Sequence, residues 1–198
     1  MDRRCFTQWC SGAVLAQGFA SWAAPIEDYA SIPLVHPDGA PIKASEVGTD
    51  EAMVFAYPLK GIPCYLINLG DREPTTQTLT SPDDGDYTNP PGVGPKGNLV
   101  AFVAICTHQL SYPTPVASYL RYAAGGSELG GGPGRIVCCA HGSVYDPAQG
   151  AARISGPTQN PLMPVRLSHD TATDQLSATG AVGRKFFERF FQNYKGEL

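Results

Sequence analysis

Two apolar runs in this chain each end on a cysteine that is soon followed by a histidine. "LVAFVAIC" at residues 99–106 leads into "THQLSY", and "RIVC" at residues 135–138 leads into "CAHGSVYD". Continuous apolar runs of this length bounded by turn residues read as buried β-strands. Cys106 and His108 therefore sit at one strand end, and Cys138 and His141 at another. The chain holds only six cysteines and four histidines, so this double pairing restricts the fold. Two strand ends separated by 31 residues must meet, and two soft thiolates with two imidazoles then form a four-ligand metal set.

The rest of the composition agrees with strands rather than helices. Among 198 residues there are 22 glycines and 18 prolines, which disfavour helix interiors and suit an all-β domain with long ordered loops. A hydrophobic content of 42% is enough for one globular core with short appendages. The formal net charge of -4, with no basic stripe, argues against a nucleic-acid partner.

Residues 1–25 depart from this pattern. Arg3 and Arg4 precede a stretch from Cys5 to Ile26 without a charged residue, and "DRRCFTQ" resembles a twin-arginine export motif. A helix over residues 6–24 would span roughly 28 Å, close to a bilayer core. The expectation is a cleaved signal or a retained membrane anchor, with the following domain on the exported side of a bacterial cytoplasmic membrane. Prolines at 25, 33, 37 and 41 make residues 26–47 an expected extended tether that can include a hinge. The main domain is expected over residues 48–182. "MVFAYPL" and "IPCYLINL" around "KG" read as a hairpin, and the stretch after "GPTQNPL" as another. Residues 72–98 read as a long polar loop and residues 112–134 as a glycine-rich insertion. The tail, residues 183–198, places aromatic residues at 186, 187, 190, 191 and 194. That is helical spacing, suited to packing on the domain itself or on a neighbouring subunit.

Two metals suit the four ligands. Zinc sites of the Cys₂His₂ type usually pair Cys with Cys and His with His along the chain, whereas here each loop supplies one of each. That mixture suits a Rieske [2Fe-2S] centre, in which two imidazoles replace two thiolates. "CTH" at 106–108 and "HGSVYD" at 141–146 resemble the two boxes of the Rieske iron-sulfur protein family. "GPTQNPL" at 156–162 resembles the proline loop that covers the cluster. The resemblance extends over roughly residues 53–181 and implies an antiparallel β-sandwich with a small cluster-binding subdomain, preceded by the signal or anchor helix. It also implies that Cys106 and Cys138 ligate one iron and His108 and His141 the other. Ser143 and Tyr145 are then expected to donate hydrogen bonds to a bridging sulfide and to the Cys106 sulfur, and so to raise the reduction potential.

By the same resemblance, His108 and His141 couple electron and proton uptake. The implied role is that of the iron-sulfur subunit of a membrane quinol:cytochrome c oxidoreductase, beside cytochrome b-type and cytochrome c-type subunits and with quinol as reductant. The alternative is the small Rieske subunit of another exported oxidoreductase, such as an arsenite oxidase-like molybdoenzyme. A ferredoxin-like carrier fits the export segment less well. The chain departs from the family in three places. Ser111 and Ala140 stand where the family has a disulfide pair, and Gln109 and Leu110 replace the usual Leu-Gly. The two boxes are also farther apart than in compact members. Cys64 and Cys139 are left either to pair with each other or to be buried free thiols, and His36 and His169 read as surface residues.

Overall fold

The computed structural model describes residues 26–81, 83–108 and 119–194. Its largest element is a six-stranded antiparallel sheet in the order β1-β12-β11-β6-β3-β2. The strands are β1 (Ile32–Pro33), β2 (Met53–Ala56), β3 (Pro63–Asn68), β6 (Leu99–Val103), β11 (Pro164–Asp170) and β12 (Gln175–Ala181). A second sheet, β10-β9-β8-β7, is built from β7 (Leu120–Ala123), β8 (Arg135–Cys138), β9 (Val144–Asp146) and β10 (Ala152–Ser155). A separate hairpin pairs β4 (Thr78–Ser81) with β5 (Gly85–Thr88), and one helix, α1 (Arg184–Tyr194), follows β12.

The continuous apolar character of β3 and β6 has a direct cause. Side chains alternate across a strand, and here both faces are covered. Cys64 and Leu66, with Leu99, Ala101 and Val103, enter one core. Tyr65, Ile67, Val100 and Phe102 enter a second core together with Leu120, Ile136 and Tyr145 of the other sheet. The second core is thus the filling of a sandwich between the two sheets, and Cys106 and Cys138 lie at its edge. Both expected hairpins are present, as β2 with β3 and as β11 with β12.

Several expectations are corrected. Residues 26–47 are built into the domain and do not form a free tether. Glu27 bridges to Ala181, β1 extends the large sheet, and Leu34, Ile42, Ala44 and Val47 are buried. Proline at these edge positions removes a donor that the sheet does not need, so the same residues that suggest an extended tether also make an edge strand. A swing about this segment would strip four buried side chains from the core. The polar stretch over residues 72–98 contains the β4–β5 hairpin, and the insertion contains β7, which pairs with β8. The aromatic tail forms α1, with Phe186, Phe187 and Phe190 buried in the first core. Its N-terminus is capped from the β4–β5 turn, where the Lys185 amide donates to Asp84 Oδ1 at 2.8 Å. The expected signal or anchor helix lies outside the described residues, among which no helix is long and apolar enough to cross a membrane.

Candidate metal centre

Three loops converge beyond the ends of β6, β8 and β10. The first carries Cys106, Thr107 and His108 directly from β6. The second joins β8 to β9 as a tight loop: the Cys138 amide donates to the Ser143 carbonyl at 2.8 Å and the Gly142 amide to the Cys138 carbonyl at 2.9 Å. That closure places Cys138 inward and leaves His141 exposed at the tip. The third, residues 156–162, lies against the second. A Cβ at Gly156 would stand 2.4 Å from the Ser143 Cα, and Gly156 has φ +93°. Only glycine allows this approach with this backbone.

The six residues singled out from the sequence are brought together here. The Cys106 and Cys138 thiols are hydrogen-bonded to each other, and this contact, with burial, pushes the Cys138 thiol far above its usual range. The His108 and His141 rings meet edge to face, with centroids 4.9 Å apart. His108 Nδ1 is buried and has no hydrogen-bond partner among the described residues. The Tyr145 hydroxyl lies 3.7 Å from the Cys106 sulfur. Burial first, and the proximity of Cys106 second, push the Tyr145 hydroxyl well above the ordinary phenol range, so it keeps its proton. Ser143 is fully buried, and its Oγ accepts from the Thr158 amide at 3.4 Å.

This donor set fits a two-iron cluster. A pair of buried thiols in contact resists ionisation unless cationic metal compensates the charge, and the unpartnered His108 Nδ1 is a donor atom awaiting a ligand role. Among the described residues no group of three or more His, Cys, Asp or Glu side chains is gathered for a single ion. A Cys₂His₂ zinc site would need all four around one point; thiol beside thiol and ring beside ring suits two metals with two protein ligands each.

Sequence reasoning missed the groups that hold the loops. Thr107 is buried, and its hydroxyl contacts the Tyr145 hydroxyl at 3.2 Å, the Thr158 hydroxyl at 2.9 Å and the Asn160 carbonyl at 3.0 Å. Asp146 closes the second box: its Oδ1 accepts from Arg135 at 3.0 Å, from Arg72, and from the Ala148 amide at 3.0 Å. Arg72 carries no motif in the sequence, and Asn160 lies in the proline-loop segment without a role of its own there. A cleft of about 300 Å³ beside His108 is lined by Thr107, Pro157, Gln159, Asn160, Asp83 and Arg189.

The other cysteines and histidines separate by burial. None of the described cysteines is in a disulfide. Cys64 is buried and donates to the Tyr57 carbonyl at 3.3 Å, as expected of a buried thiol. Cys139 is exposed, which corrects its reading as buried and leaves it no bridge to Cys64. Its amide is held by the Tyr119 carbonyl at 2.7 Å. His36 is half-exposed beside Glu46. His169 is not a surface residue: its side chain is 10% exposed and meets Asp174 at 2.8 Å.

Comparison with known proteins agrees with this geometry. Residues 87–168 match the family model described as the Rieske [2Fe-2S] domain. The fold is similar to the soluble domain of Rieske protein II from Sulfolobus acidocaldarius, with a TM-score of 0.56 and 24% identity over 77% of this chain and 78% of that one. With two thiols, two imidazoles and three enclosing loops in one place, this chain carries a Rieske [2Fe-2S] domain, which binds a [2Fe-2S] cluster and serves electron transfer.

Proposed function

We propose that the chain is the iron-sulfur subunit of a membrane quinol:cytochrome c oxidoreductase, with the cluster held by Cys106, Cys138, His108 and His141. The observation that carries the reading is the pairing of an exposed His141 with a half-buried His108, ring centroids 4.9 Å apart, on the same two loops as two buried thiols. A bound Rieske cluster supplies one-electron chemistry at about -150 to +300 mV. The protein's part is to place the rings and the proton. His108 lines the cleft, and with Nδ1 buried its Nε2 is the ring nitrogen left to accept a hydrogen bond from a quinol hydroxyl and then its proton. His141 offers a second, more exposed acceptor. Tyr145 and Ser143 act as hydroxyl donors toward the sulfur ligands and stabilise added negative charge, which raises the potential toward that of a quinol oxidant. Partner subunits of cytochrome b and cytochrome c type, and residues 1–25 as an export signal or anchor on the outer face of the membrane, complete this reading.

A second reading rests on Ser111 and Ala140, where a disulfide staple is absent, and on Gln109 and Leu110 beside His108. These changes alter the surface by which such a domain meets its partner, and favour the small subunit of another exported oxidoreductase of the arsenite oxidase-like type.

Gentle detergent extraction of the native membrane and capture through this chain separates the two. Haem b with haem c in the captured material supports quinol oxidation; molybdenum without haem b supports the second reading and removes the first. Iron content and reduced-state EPR of Cys138→Ser against Cys139→Ser test the ligand assignment. The cluster is expected to be lost in the first variant and kept in the second. Loss in Cys139→Ser with retention in Cys138→Ser would overturn it.

A further inference from the structure

The buried hydroxyl cluster beside the thiol pair has fewer protons than acceptors, and that imbalance assigns a role to a residue to which the sequence reading gave none. Thr107, Thr158 and Tyr145 bring three hydroxyl protons. The acceptors in reach are the Cys106 sulfur, the Thr107 and Thr158 oxygens and the Asn160 carbonyl. Tyr145 has three partners in reach: its hydroxyl is 3.7 Å from the Cys106 sulfur and 3.2 Å from the Thr107 oxygen, and it also contacts the Thr158 hydroxyl. Each hydroxyl has one proton to donate, so the Thr107 oxygen competes with the sulfur for the Tyr145 proton.

We propose that Thr158 is a positioning residue that settles this competition in favour of the Cys106 sulfur, and so tunes the reduction potential of the domain. The inference rests on the reading in which Cys106 ligates the cluster. Thr158 is 2% exposed and its hydroxyl has two acceptors. When it donates to the Asn160 carbonyl at 3.1 Å, its own oxygen takes the Thr107 proton at 2.9 Å, and the Thr107 lone pairs stay open to Tyr145. When it donates to Thr107 at 2.9 Å, it occupies a lone pair that Tyr145 would otherwise use, while Thr107 donates to Asn160. The second arrangement fills one of the two Thr107 lone pairs and so favours the Cys106 sulfur, and it uses the shorter contact to the Asn160 carbonyl, 3.0 Å from Thr107 against 3.1 Å from Thr158. Without the Thr158 hydroxyl, Thr107 donates to the Asn160 carbonyl, at 3.0 Å its shorter contact, and both Thr107 lone pairs open to Tyr145. The sulfur then loses its donor without any change at Tyr145 itself. Burial makes the choice consequential, since a low local dielectric strengthens hydrogen bonds and couples them along a chain.

The test is the midpoint potential of the full chain in detergent, read with reduced-state EPR and thermal stability, for Thr158→Val, Thr158→Ser, Tyr145→Phe and the double variant Thr158→Val with Tyr145→Phe. Tyr145→Phe is expected to lower the equilibrium constant for reduction about tenfold, ~59 mV for one electron. Thr158→Val is expected to lower it at least half as far in millivolts. Thr158→Ser, which keeps the hydroxyl, should restore the wild-type value, and the double variant should fall no lower than Tyr145→Phe alone. Thr158→Ala serves in the same role if the valine variant does not fold. A wild-type potential in the valine or alanine variant, with Tyr145→Phe shifted, overturns the proposal while leaving the Cys106 assignment intact. Full additivity in the double variant also overturns it, because Thr158 would then act independently of Tyr145. An unshifted Tyr145→Phe that retains its cluster overturns both the donor role of Tyr145 and the inference built on it.

Discussion

Asp83 and Arg189, 106 residues apart, form an ion pair at 2.9 Å, and the Asp83 oxygen that makes it, Oδ2, also accepts from the Asn160 side-chain amide at 3.1 Å. One carboxylate thus joins α1 to the loop of residues 156–162, which packs against the Ser143 loop. Ser81 reinforces the junction by donating to Asn160 Oδ1 at 2.9 Å.

Replacing Asp83 with alanine removes acceptors from an amide that is largely buried and from a guanidinium that is not. The side chains of Asp83 and Arg189 are 30% and 42% exposed, so solvent screens the pair, and the combined loss is about 1 kcal/mol. For a domain of this size that lowers Tm by about 2–4 °C. Thermal unfolding followed by circular dichroism checks this, and an unchanged Tm would show that the junction is only a surface contact.

The C-terminal helix is part of the core. Phe190→Ala is expected to cost about 3–5 kcal/mol, the range for a fully buried aromatic, because Phe190 is 0% exposed and stacks on Phe186 with centroids 6.5 Å apart. Glu188→Ala, on the exposed side of the same helix, should change stability by less than about 0.5 kcal/mol. Urea unfolding distinguishes the two; equal small effects would show that the helix is a dispensable tail.

Ser143 and Tyr145 are expected to act on potential more than on stability. A hydrogen bond to a charged acceptor contributes about 1.5–3 kcal/mol, and only the part that differs between redox states moves the potential. Ser143→Ala and Tyr145→Phe should each lower the midpoint by roughly 40–90 mV, with 59 mV per tenfold for one electron. Redox titration followed by EPR measures this. A rise in either variant would mean that the hydroxyl donates elsewhere.

Acid sensitivity is expected at the turn between β11 and β12. Hydrogen bonds from Ser45 and then from His169 hold the Asp174 carboxyl at about 2, below its ordinary 3.8. A carboxylate depressed in the folded state contributes stability that is present above the unfolded value and lost as pH falls through the folded one. The contribution of Asp174 should therefore disappear between about pH 4 and pH 2. Asp174 has φ 62°, a conformation that asparagine also tolerates, so Asp174→Asn isolates the charge. The variant should be less stable than wild type at pH 5 and equal to it at pH 2. A difference that persists at pH 2 would assign the effect to the turn rather than to the carboxylate.

The candidate ligand residues, the strands that deliver them and both flanking hairpins were legible in the linear sequence. Their signals are local: an apolar run that ends on Cys106 or Cys138, a histidine two or three positions on, and alternation around a two-residue turn. The proline-rich segment was legible only as extended backbone, because an edge strand and a free tether need the same φ and the same missing donors. What separates them is whether Leu34 and Ile42 find a core, and that core is supplied by β12 and α1 from the far end of the chain.

The sequence by itself determined the chemistry of the centre: two thiols, two imidazoles, a tyrosine and a serine at box spacing, in a chain too rich in glycine and proline for long helices. Only the tertiary structure decided how that centre is enclosed and tuned. Thr107 meets Thr158 across 51 positions, Arg72 reaches Asp146 across 74, and Asp83 holds Asn160 across 77. Such contacts leave no periodic trace, because neither partner's residue type is unusual where it stands. They arise from the packing of two sheets, and they determine which acceptor each buried proton finds.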